Sequence, residues 1–144
     1  MSANVLFPSP EERRDWGEAL TDLLSEAERR VGDGPVTPRF ERRCFAEELA
    51  AFDFARPVPF EQLMTWTVAQ LEHGIVHVTH PRYLGLFNPA PSFPAQCADR
   101  IAASFNPQLA SYATSPVAVA IEAHVTGAVA RRAGLPPQSV GHFT

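Results

Sequence analysis

Three histidines, His73, His77 and His80, recur at spacings of four and three near the middle of this sequence. Such spacing resembles that of metal ligands, since residues four apart share one face of a helix and imidazole is a good ligand for zinc. The helical zinc pattern also needs a glutamate directly after the first histidine. Here Gly74 follows His73, and Ile75, Val76 and Val78 favour a brief extended stretch. In extended backbone His73 and His77 share a face while His80 points the other way. The expectation is therefore three polar residues at the rim of a loop, with no metal. Cys44 stands beside Arg42 and Arg43, the electropositive setting that reactive thiols use. No activating base is identifiable, so it reads as a half-buried cysteine on a short helix. No G-x-S-x-G elbow, dinucleotide fingerprint or phosphate-binding loop motif occurs. All twelve basic residues are arginine, and lysine is absent. A Schiff base, or a phosphate contact through a lysine ammonium, cannot come from a side chain of this chain.

The composition narrows the class. A length of 144 residues suits a single domain. A net charge of -4 argues against a nucleic-acid surface, which needs a basic face to neutralise phosphates. No apolar run has the length of a membrane span. The opening residues carry no basic leader followed by an apolar stretch. Cys44 and Cys97 are then expected as reduced thiols of a cytoplasmic protein.

The elements that would position these residues are helices. Ser9, Pro10 and Glu12 form a helix start with a capping box. Trp16, Leu20, Leu23, Leu24, Ala27 and Val31 follow as one apolar stripe, and Gly32 and Gly34 end it. The other face is charged. A proline-rich connector covers residues 35 to 59, with a short helix expected from about Phe45 to Phe52. A helix follows from near Pro59 to Gly74, with Phe60, Leu63, Met64, Thr67 and Leu71 as its apolar face. Residues 81 to 94 read as a rigid, irregular apolar loop that something must cover. A fourth helix starts at Ser92 or Phe93, buries Ala95, Ala98, Ile101, Ala102 and Phe105, and stops at Asn106-Pro107. The last opens with Ser115 as N-cap and Pro116, shows the stripe Val117, Ile121, Val125, Ala128 and Val129, and closes at Gly134. The fold class expected is mainly α, in the manner of an arm that packs on something else rather than a compact bundle.

From Val76 onward the order of features resembles the N-terminal part of the pyridoxal-phosphate-dependent decarboxylases of the aromatic-amino-acid and glutamate decarboxylase group. The features are His80-Pro81-Arg82-Tyr83, a Pro/Ser/Ala-rich loop, and a helix containing Ala98-Asp99. They continue with Ser115-Pro116 opening a long helix that carries Glu122, then Gly134-Leu135-Pro136. The first 75 residues match only loosely, as a helical extension.

The resemblance implies the type I aminotransferase-like α/β fold, an intertwined homodimer, and pyridoxal phosphate as cofactor in the complete protein. It implies a helical, dimer-wrapping arm over residues 1–75 and the start of the large domain over 76–144. In the family a Ser/Gly-rich turn comes next and binds the cofactor phosphate at a helix N-terminus. Gly141-His142-Phe143-Thr144 fall just short of it, so Thr144 is expected beside that turn. The family's Schiff-base lysine comes far later still. By resemblance Tyr83, Phe87, Asn88 and Pro89 line the substrate pocket, and Gln108 and Tyr112 reach the partner's pocket. Related aromatic decarboxylases carry a hydroxyl residue about where Pro89 stands, so substrate identity does not carry over. The function expected is an N-terminal fragment of an amino-acid decarboxylase, inactive alone, whose partners are a second subunit or a C-terminal portion and an amino-acid substrate. The alternatives are an aminotransferase or aldehyde-forming lyase of the same fold, and a non-catalytic helical interaction module.

Overall fold

The computed structural model describes residues 6–53, 55–85 and 89–143. The protein is mainly helical, with five α-helices and one 3-10 turn and no strand among the described residues. No described helix is long and apolar enough to cross a membrane. The chain packs as two units, Met1–Ala90 and Pro91–Thr144. Residues 76 to 85, which the resemblance assigns to the second part, fall in the first unit.

In the first unit, α1 spans Pro10–Arg30. Ser9 Oγ accepts from the Glu12 N–H at 3.2 Å, and Glu12 Oε2 accepts from the Ser9 N–H at 2.7 Å. The capping box read from the sequence thus satisfies two of the orphan donors at the helix start. Glu11 and Glu12 in the first turn and Arg29 and Arg30 in the last complement the helix dipole. Gly32 does not end the helix by itself. The chain tightens into a 3-10 turn, Val31–Asp33, and the Gly34 N–H closes it on the Val31 carbonyl at 3.4 Å. Next, α2 spans Arg42–Ala50, so it begins and ends earlier than expected and leaves Phe52 beyond it. Then α3 spans Phe60–Gly74.

The contacts fix how these helices run. Near the starts of α1 and α3, the Trp16 ring lies 4.7 Å from Phe60 and its Nε1 donates to Glu61. Near their ends, Arg30 reaches Glu72. The two helices are therefore parallel, and the chain must travel back along α3 before starting it. Phe40 sits beside Gly74 at the end of α3. Phe45 stacks on Trp66 at 6.1 Å, and Phe52 meets the same ring at 4.8 Å. The proline-rich connector with α2 is this return path.

Met64 and Val68 are buried in α3, one helical turn apart, and Phe60 and Glu72 on the same row are half-buried. Leu63, Thr67 and Leu71, expected on the inner face, are exposed. The reason is that α3 is apolar on more than one side, and its neighbours decide which row turns inward. Trp66, on another side, is held by the connector's phenylalanines.

The stretch after α3 is not a strand. Ile75 is extended, but Val78 and Thr79 already belong to a turn. The His77 N–H donates to the Val36 carbonyl at 2.9 Å and no ladder follows.

In the second unit, α4 spans Phe93–Phe105 and α5 spans Pro116–Arg132. Ser92 Oγ accepts from the Ala95 N–H and caps α4. Asn106 ends it in the left-handed region at φ 43°, where asparagine is tolerated better than most residues. Ser115 is the N-cap of α5 and Pro116 its first residue, as expected, though the Ser115 side chain makes no capping hydrogen bond. The close of α5 is a Schellman motif: Gly134 at φ 72° lets the Leu135 N–H reach the Ala130 carbonyl at 3.0 Å.

The apolar face expected to be buried in α4 is not, and most of the apolar stripe of α5 is exposed too. Ile101 is 61% exposed, Phe105 81% and Val117 71%, and Ala95, Ala98 and Ala102 are exposed as well. The chain's own tail covers a different row of α5. Glu122 Oε1 accepts from the Phe143 N–H at 2.9 Å, and Gly141 packs on Thr126.

Candidate functional site

The segment from His77 to Tyr83 is wound by its own backbone hydrogen bonds. Two turns follow one another: the His80 N–H donates to the His77 carbonyl at 3.1 Å, and the Tyr83 N–H donates to the His80 carbonyl at 2.9 Å. His80 sits at their junction and is only 3% exposed. Its Nε2 lies 3.1 Å from the Gly34 carbonyl, and its Nδ1 accepts from the Arg82 N–H at 2.9 Å. The rim position expected for His80 is therefore wrong; the connector covers it.

The other two histidines turn to other carbonyls. His73 lies in the last turn of α3 with Nδ1 2.6 Å from the Ala69 carbonyl, and His77 Nε2 lies 2.8 Å from that of Glu72. Among the described residues no group of three or more His, Cys, Asp or Glu side chains is placed to hold a metal ion. Cys44 is exposed on α2 rather than half-buried, and Cys97 is exposed on α4.

Tyr83 is half-buried, and its ring lies over Gly85. A Cβ at Gly85 would stand 2.8 Å from Tyr83 Cε2, so a side chain there would push the Tyr83 ring aside. Leu84, next to it, is 95% exposed. Pro89 lies in irregular, exposed chain of the same unit. Phe87 and Asn88, expected beside them, lie outside the described residues, as does Thr144.

Gln108 and Tyr112 belong to the second unit, in the exposed segment between α4 and α5. Side chains wind this segment locally. Thr114 Oγ1 is within hydrogen-bonding distance of the Gln108 and Ser111 carbonyls, and Ser111 Oγ accepts from the Ala113 N–H. Tyr112 is thereby carried outward on a turn fixed by its neighbours.

Sequence reasoning missed one ionic pair. Beside an open cleft of about 390 Å³, the Arg30 guanidinium forks onto Glu72, with Nη2 at 2.9 Å and 3.0 Å from the two carboxylate oxygens and Nε at 3.1 Å. Its Nη1 reaches Glu26 at 3.2 Å. The hydrogen bond to Glu72, with the charges of Glu72 and Glu26, raises the guanidinium above its ordinary pKa, so it stays charged throughout the physiological range. With two carboxylates already on it, Arg30 is not free to take the carboxylate of a ligand. The four-residue spacing from Glu26 to Arg30 was readable as a helical pair, whereas Glu72 lies in another helix.

The described residues do not fit covalent binding of pyridoxal phosphate. No lysine is present to form the Schiff base. No model of a known protein family matches the chain. No curated protein matches it significantly.

Proposed function

We propose that the chain is the N-terminal part of a pyridoxal-phosphate-dependent amino-acid decarboxylase of the type I fold, a cytoplasmic homodimer in its complete form. The observation that carries this reading is the ordered run His80-Pro81-Arg82-Tyr83, Ala98-Asp99, Ser115-Pro116, Glu122 and Gly134-Leu135-Pro136. The places of these residues support it. The first group forms a pinned turn, Ser115-Pro116 opens α5, and Gly134 closes α5. The cofactor supplies an electron sink for loss of the α-carboxylate. Its lysine would come from elsewhere in the complete protein, and this chain would supply the pocket loop around Tyr83 and Pro89 and the segment of Gln108 and Tyr112.

The test is to combine the chain with a C-terminal half of such an enzyme that carries the lysine, and to assay amino acids for carbon dioxide release. Stoichiometric carbon dioxide and amine support the reading. An oxo acid or aldehyde without carbon dioxide points instead to an aminotransferase or aldehyde-forming lyase of the same fold.

A second reading, a non-catalytic helical interaction module, is favoured by one observation. The first unit closes on itself, around Met64, Val68, His80 and the Trp16–Phe60 contact. A complex with no activity toward any amino acid would favour it.

A further inference from the structure

Only three described residues are buried in the whole chain, and the deepest is a histidine. A polar ring at such a position is costly unless both nitrogens are satisfied. The geometry of His80 leaves one way to satisfy them. The Arg82 backbone N–H can only donate, so His80 Nδ1 must be an unprotonated acceptor. The Gly34 carbonyl can only accept, so His80 Nε2 must carry the proton and donate. The ring thus accepts at Nδ1 and donates at Nε2, and it bridges two pieces of backbone 48 residues apart in sequence.

We propose that His80 is a latch that ties the Pro81–Gly85 loop to the connector at Gly34–Val36, so that the loop is ordered only while α1 and α3 hold that connector in place.

The rest of the joint has the same direction. The His77 N–H donates to the Val36 carbonyl, and Arg82 Nη2 approaches the Gly34 carbonyl at 3.5 Å. Gly34 is in turn closed onto Val31, the first residue of the 3-10 turn that continues α1. Phe40, farther along the connector, rests against Gly74 at the end of α3. The path from helix pair to loop thus runs through covalent chain and named hydrogen bonds. Within the loop, the Tyr83 ring lies on its own Gly85, and Leu84 is uncovered. The latch stands apart from the decarboxylase reading. If that reading holds, the tied loop is the one carrying Tyr83 toward the pocket.

The test uses the 144-residue chain and needs no activity. Nitrogen-15 NMR of the histidine side chains in the unsubstituted protein should show His80 with an unprotonated Nδ1 and a protonated Nε2. Amide exchange at Arg82 should be slow. In His80→Ala, Arg82 exchange should rise roughly 3- to 10-fold, the worth of one hydrogen bond, with amides of the middle of α3 unchanged. In His80→Gln, which can both donate and accept, part of the protection should return. Trp16→Ala, which loosens the helix pair from a distance, should speed Arg82 exchange as well. A His80 ring averaged between tautomers, or an Arg82 amide that is unprotected in the unsubstituted chain, overturns the latch. Arg82 protection unchanged in Trp16→Ala while α1 amides lose theirs overturns the coupling to the helices. Failure of the decarboxylase reading shows in the product assay and touches neither measurement.

Discussion

At the residue scale, two glycines owe their places to different physics, and their substitutions should differ in kind. Gly134 holds φ 72° with nothing within 4 Å of an added Cβ. Its replacement by alanine meets only backbone strain, so Gly134→Ala should cost about 1–2 kcal/mol in urea unfolding and leave the surroundings unmoved. Gly85 has no such dihedral, but an alanine there strikes the Tyr83 ring. Gly85→Ala should cost little global stability and instead displace Tyr83, read as shifts of its ring resonances with α1 and α3 unchanged. The lack of lysine gives a third prediction. The chain with its N-terminal amine blocked should form no internal aldimine after pyridoxal phosphate is added and the excess removed, read by visible absorption. What was legible in the sequence at this scale was local. Ser9 with Glu12, and Gly134 at the end of a helix, are signals written within a few residues. His80 was misplaced because its cover, the Gly34 carbonyl, comes from a distant segment. Nothing adjacent to a histidine says whether its nitrogens will find partners.

At the element scale, four of the five helices were legible from apolar spacing and from the serines and prolines at their starts, and α2, which has neither Ser nor Pro at its start, was displaced by a few residues. How the helices associate was not legible. The stripe of α1 could face any apolar neighbour. The parallel arrangement with α3 depends on Trp16 meeting Phe60 and Glu61, and on Arg30 meeting Glu72. Trp16 is half-buried, so Trp16→Ala should cost roughly 2 kcal/mol, below the 3–5 kcal/mol of a fully buried aromatic. Denaturant unfolding followed by circular dichroism checks this, and a loss under about 0.5 kcal/mol would mean that the Trp16 ring does not anchor the pair.

At the scale of the whole molecule, the candidate pocket residues fall in both units, Tyr83 and Pro89 in one and Gln108 and Tyr112 in the other. The resemblance named them without any signal of how the chain would divide, because pocket lining is a property of the assembled fold. The exposed side chains carry a stronger message. Ile101, Phe105, Val117, Ile121 and Val129 all lie uncovered in the second unit. The isolated chain should therefore be helical by circular dichroism yet elute as oligomers held through the second unit, with the first unit folded. A monodisperse monomer with a sharp thermal transition would show that the helices bury one another in solution and would favour the interaction module.

The parallel pairing of α1 and α3 also sets a clock. Trp16 must wait for Glu61, 45 residues later in the chain, before its indole finds a partner. At roughly 5–20 residues per second, synthesis of that interval takes about 2–9 s. Over those seconds the Trp16–Val31 stripe has emerged, or is emerging, without the helix that covers it, long after the turns of α1 themselves have formed. The newborn chain thus presents an amphipathic helix to whatever waits at the ribosome exit, and a holding chaperone would compete with α3 for the same row of side chains.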